Sequence, residues 1–151
     1  MEISANLRRG SALDTNLDKL EQAAVSVKSN SYCRYSNFQV GCSILTKSGK
    51  IFAGCNVENA SYPSGICAEQ NAIGSMIAAG ERDIDRVVIT SNDTNFTYPC
   101  GLCRQSLREF CDVKETKLVF LTIDGKKREH TFEELLPFSF GPEDLEGFNK
   151  N

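Results

Sequence analysis

The sequence predicts an α/β fold of three layers, helix/sheet/helix, built on a mixed sheet of about five strands. Three observations carry this. Helical and strand-like periodicities alternate along most of the chain. Two apolar runs, around Val87-Val88-Ile89 and over Leu118 to Ile123, each follow a helical segment. The 151 residues, 40% of them hydrophobic, suffice for one core but hardly for two. The expected order is helix, two strands, helix, strand, helix, two strands, helix. Residues 1–151 then form one domain, with residues 1–13 a flexible N-terminal arm.

From Asp14 to Ser29, Leu17, Leu20, Ala24 and Val27 recur at helical spacing, and Thr15-x-x-Asp18 offers a capping box. Val40, Cys42 and Ile44 alternate as in a strand. Ser48-Gly49 turns the chain, and Ile51 to Val57 returns as the second arm of a hairpin. A helix is expected from near Cys67 to Gly80, a natural C-terminal stop, followed by the strand around Val88. Pro99 precedes a helix through Leu102, Leu107 and Phe110. Leu118 to Ile123 forms the next strand, which turns at Asp124-Gly125. A short strand and helix then lead to Pro137. No repeat or low-complexity linker interrupts the order.

A net charge of −3 argues against a polyanionic partner, since nucleic-acid binding rests on clustered Lys and Arg. The one dense basic run, Lys126-Lys127-Arg128, reads as a solvated hairpin shoulder. No run approaches the roughly 18 apolar residues of a membrane span, and no apolar signal core follows the N-terminus. The expected location is cytoplasmic, with nuclear presence left open. Seven cysteines are an odd number, and three belong to a metal motif. Cys33, Cys42, Cys55 and Cys111 read as packed or spectator thiols.

The metal motif is Cys67-Ala68-Glu69 with the distant Pro99-Cys100-Gly101-Leu102-Cys103. It supplies three soft zinc ligands, one short of a tetrahedral shell, and the open position is what separates catalytic from structural zinc. Glu69 stands beside the first ligand. Cys67 and the Cys100/Cys103 pair fall at the first turns of two expected helices, whose positive N-terminal ends favour thiolates.

This spacing resembles the signature of the zinc-dependent nucleobase deaminases. Asn37-Phe38-Gln39-Val40-Gly41 and Gly54 to Tyr62 resemble the substrate segments of the small cytidine deaminases, and Leu135 to Leu145 resembles their tail. The blocks cover most of the chain from Tyr35 onward. On them the chain is identified as a member of the cytidine deaminase family, of the short homotetrameric zinc-dependent type. The resemblance implies a cytidine deaminase-like fold and one Zn2+ per subunit on Cys67, Cys100 and Cys103. It implies hydrolysis of cytidine and deoxycytidine to uridine and deoxyuridine plus ammonia in pyrimidine salvage, with Glu69 shuttling protons from zinc-bound water to the base and leaving group. It places Phe38 against the base, Asn56 and Glu58 on the ribose hydroxyls, and the backbone at Ala68 on the pyrimidine edge. Ala60, Tyr62 and Phe140 would complete pockets across subunits of a homotetramer. The substrate is then a free nucleoside, with no nucleic acid and no membrane.

The chain departs from that family at Gln70, where an Arg usually donates toward the thiolates. Three thiolates leave zinc with a formal charge of about −1, so Arg104, the cation inside the motif, is expected to carry the compensation. Pro63-Ser64-Gly65 and Cys33-Arg34 also replace commoner residues. His130, the single histidine, lies outside the ligand motifs and reads as a solvated strand residue. Three alternatives stay open: deamination of another aminopyrimidine or of a nucleoside antibiotic such as blasticidin S, a closed structural zinc module with a fourth cysteine, and a dithiol redox pair at Cys100-x-x-Cys103.

Overall fold

A computed structural model describes residues 3–147, with side chains from Thr15 onward. Helix α1 spans Ile3–Lys28, followed by strands β1, Val40–Thr46, and β2, Ile51–Cys55. Helix α2 covers Ala68–Ala78, β3 Ile84–Ser91, α3 Gly101–Arg108, β4 Lys117–Leu121 and β5 Lys127–Thr131. Two short helices, α4 at Phe132–Leu135 and α5 at Pro142–Glu146, end the described chain. The strands form one mixed sheet in the order β2-β1-β3-β4-β5, antiparallel except for the parallel β3/β4 pair.

Strand alternation sorts the core into two sides. Cys42, Ile44, Val87, Ile89, Leu118 and Phe120 point toward α2 and α3, where they meet Ala72, Ile73, Met76 and Leu107. Leu45, Val88 and Val119 point the other way, onto Leu20 and Ala24 of α1. Every residue of β1 is therefore buried. The helix/sheet/helix layering and the sheet of five strands match the sequence reading.

Two glycines set how closely the helices lie on the sheet. A Cβ on Gly54 would come within 2.7 Å of Ala68 O and 2.8 Å of Asn71 C, so β2 lies directly on the first turns of α2. A Cβ on Gly41 would likewise run into the α1 backbone at Ala24.

Three local expectations are corrected. The backbone of α1 begins at Ile3, so Thr15-x-x-Asp18 lies inside the helix and does not open it; Leu7, Arg8, Arg9 and Ala12 are good helix formers. The arm expected over residues 1–13 lies outside the residues described with side chains. Strand β2 stops at Cys55, and at Asn56 the side chain adds to the main-chain N–H bond to Val40 O (3.3 Å): its Oδ1 accepts from the Val40 N–H (2.9 Å) and its Nδ2 donates to Phe38 O (2.8 Å). Helix α5 was not expected, although Pro142 at its first turn and Asp144, which accepts the Gly141 N–H at 2.8 Å, are helix-start signals.

All strand ends that matter for chemistry lie at one edge of the sheet. Val40 opens β1 opposite Ser91, the last residue of β3, and Gly41 pairs with Cys55 at the end of β2. The loops leaving this edge carry the candidate site.

Candidate metal centre and pocket

Cys67 is the N-cap of α2 and Cys100 the N-cap of α3, both in extended backbone, while Cys103 lies in the first turn of α3 and is buried. The Sγ atoms of Cys67, Cys100 and Cys103 all lie within 4.8 Å of one another. Tetrahedral zinc with bonds of about 2.3 Å holds its sulfurs about 3.8 Å apart, so small side-chain adjustments suffice. Among the described residues no fourth His, Cys, Asp or Glu joins the group. The soft donor set fits zinc and leaves a coordination position for solvent or substrate.

Glu69, in the first turn of α2 and only 5% exposed, accepts from the Cys103 Sγ–H at 3.5 Å. Burial raises its carboxyl above the ordinary carboxylate range. Burial also pushes up the Cys67 thiol, and Cys103 further still, with the Glu69 charge adding to the latter. For Cys100 burial is outweighed by hydrogen bonds, first from the Cys103 amide, so its thiol falls below the usual value. Three thiols and a carboxyl crowded together resist ionising jointly, and a divalent cation offsets that repulsion.

A cavity of about 390 Å³ opens beside Cys67 and is lined also by Tyr35, Asn56, Glu58, Tyr62 and Ile66. Glu58 accepts the Tyr35 and Ser36 amides through Oε1 at 3.0 and 3.2 Å. Burial raises its pKa, but the hydrogen bonds from Ser36 and Tyr35 prevail and hold the carboxyl low. Val57 bridges Tyr32 on one side and Ile66 on the other, which fixes Asn56 and Glu58 in extended backbone. Asn56, Glu58, Tyr62 and Cys67 thus share one wall. Phe38, half-exposed after Asn37 in left-handed backbone (φ 57°), lies outside this lining, as do Ala60, Ala68 and Phe140. Tyr35 and Ile66 were not singled out from the sequence; Ile66, next to the first cysteine, was the signal available.

Gln70 is half-buried one position beyond Glu69. Arg104 donates through Nε to Pro99 O (2.8 Å) and through Nη1 to Leu135 O (2.6 Å), gripping the residue before Cys100. Pro63 lies in a short 3-10 turn, Tyr62–Ser64. His130 lies on strand β5 with its side chain 27% exposed, one side of the ring packed against Tyr98 and Phe120 and Nε2 3.4 Å from the Tyr98 hydroxyl. Of the basic run, Lys126 pairs with Asp124 (3.0 Å), Lys127 with Glu21 (2.5 Å), and Arg128 stacks 4.4 Å over Phe96.

The fold and the three-sulfur group with its neighbouring carboxyl define a zinc-binding α/β enzyme. The profile of the cytidine and deoxycytidylate deaminase zinc-binding region matches residues 14–121. The chain belongs to this family and is an enzyme of it, a deaminating hydrolase. It is 36% identical over 126 residues to a cytidine deaminase of Halalkalibacterium halodurans, covering 83% of this chain and 95% of that one. A probable cytidine deaminase of Dictyostelium discoideum is 38% identical over 130 residues, covering 85% and 86%. The crystal structure of the Burkholderia pseudomallei cytidine deaminase superposes with a TM-score of 0.77 at 37% identity, over 82% of this chain and 98% of that one.

Proposed function

We propose that the enzyme hydrolyses cytidine and deoxycytidine to uridine and deoxyuridine with release of ammonia, a step of pyrimidine salvage in the cytoplasm. The observation that carries this reading is the buried Glu69 carboxyl, 3.5 Å from Cys103 within a three-sulfur group at the heads of two helices. Zinc on Cys67, Cys100 and Cys103 supplies the acidity that turns water into a nucleophile near neutral pH. Glu69 takes a proton from the attacking water and delivers it to pyrimidine N3, then takes the proton of the new C4 hydroxyl as the carbonyl forms and gives it to the departing amine, which leaves as ammonia. Its raised proton affinity suits that carrying role.

On this reading Oε2 of Glu58 and the Asn56 amide bind ribose hydroxyls, Phe38 packs on the base, and the Ala68 backbone meets the polar edge of the pyrimidine. Tyr62, 85% exposed, and Phe140, 59% exposed, are aromatic surfaces for a neighbouring subunit, which supports a homotetramer whose sites are completed with Ala60, Tyr62 and Phe140. The internal pairing of Lys126, Lys127 and Arg128 favours a free nucleoside over a polynucleotide. No described helix is long and apolar enough to cross a membrane.

The test follows the cytidine absorbance band together with released ammonia. Stoichiometric loss of the band and gain of ammonia, abolished by a zinc chelator and by Glu69→Gln, is expected. Zinc-loaded enzyme that releases no ammonia from cytidine contradicts the reading.

A further inference from the structure

We propose that Arg108 is a positioning residue that holds the segment from Pro137 to Glu143, and Phe140 with it, at a fixed place on the helix that carries Cys103. Arg108 ends α3 and is only 6% exposed. A buried guanidinium is tolerated when its donors are met. Here Nε donates to Ser139 Oγ at 2.7 Å and Nη2 to the Glu143 carboxylate. Gly141 lies flat against the group, where any Cβ would collide with Cζ.

The same face of α3 makes two further ties to the tail. Gln105 Nε2 donates to Phe140 O at 3.0 Å, and Arg104 Nη1 to Leu135 O. Residues 104, 105 and 108 are neighbours on a helix surface. Apolar burial does not explain the shape of the tail: Phe138 is fully exposed with φ 54°, and Phe140 is more than half exposed. An open cavity of about 210 Å³ beside Arg108, lined by Val113, Leu136 and Phe138, leaves the segment without solid backing. Polar contacts to α3, chiefly those of Arg108, therefore set where Phe140 projects. The functional consequence rests on the proposed role of Phe140 in a nucleoside site.

The test compares Arg108→Met, Phe140→Ala and the double variant as zinc-loaded, full-length protein. Arg108→Met keeps the length of the side chain and removes its donors. KM for cytidine is expected to rise about tenfold with kcat within about twofold. Amide exchange should quicken over residues 138–143, with zinc content unchanged. Arg108→Lys should not rescue, because one ammonium cannot serve Ser139 and Glu143 in the same fork geometry. The double variant should be no worse than Phe140→Ala alone, since Arg108 acts through Phe140. Normal KM and tail exchange in Arg108→Met, beside an impaired Phe140→Ala, overturn the role of Arg108 alone; additive losses in the double variant overturn it as well. A normal KM in Phe140→Ala removes Phe140 from the proposed site, and the positioning role with it.

Discussion

Glu69 and Cys103 are 34 residues apart in the chain, on different helices, and meet because both occupy first turns that end at one sheet edge. The proposed proton transfer is worth about 10² to 10⁴ in rate. Glu69→Gln should therefore lose at least that much kcat while retaining stoichiometric zinc by atomic absorption; turnover near wild type in a zinc-loaded variant refutes the shuttle. Gln70 brings no charge, and Arg104 grips Pro99 O next to Cys100. Arg104→Gln should thus lower zinc retention and activity much more than Gln70→Ala, with Gln70→Arg neutral or beneficial. Equal small losses from both uncharged variants, read by chelator competition, exclude this division of labour. At this scale the cysteines and Glu69 were legible because fixed spacing within a helix turn survives folding. Tyr35 and Ile66 were not, because their place in the cavity wall depends on the Tyr32–Val57–Ile66 bridges, which join segments far apart in sequence.

Among the elements, α2 is seated by the absence of a side chain at Gly54. Gly54→Ala drives a methyl into the backbone of residues 68–72 and should cost about 3 kcal/mol of stability. Because Cys67 caps that helix, zinc affinity should fall with it. A melting temperature and zinc affinity equal to wild type contradict this account of the packing. The order of elements from α1 through α4 was readable from periodicity and turn residues. The end of β2 was not readable, since it is the Asn56 side-chain amide that adds bonds to Val40 and Phe38 there, a feature invisible to a hydropathy pattern. His130 is only partly solvated for a related reason: one side of its ring meets Tyr98 and Phe120, which are distant in sequence.

The whole molecule leaves the large apolar side chains of Tyr62, Leu102, Phe138 and Phe140 exposed on its surface, where a neighbouring subunit would cover them. Sedimentation equilibrium should give roughly four times the 16.7 kDa chain mass. Mixing Glu69→Gln with Phe140→Ala subunits should restore part of the activity that each lacks alone. A monomeric mass, or no recovery on mixing, contradicts shared sites. The sequence could suggest this assembly only through resemblance, because the surfaces involved come from the 60–62 loop and the tail, which carry no periodicity of their own.

The proposed reaction requires a metal left one protein ligand short beside Glu69. X-ray absorption at the zinc edge of the loaded enzyme measures that directly. It should show three sulfur scatterers and one lighter atom, and the lighter atom should persist in Glu69→Gln. Four sulfurs would mean that a further cysteine closes the shell, and the site would then be structural.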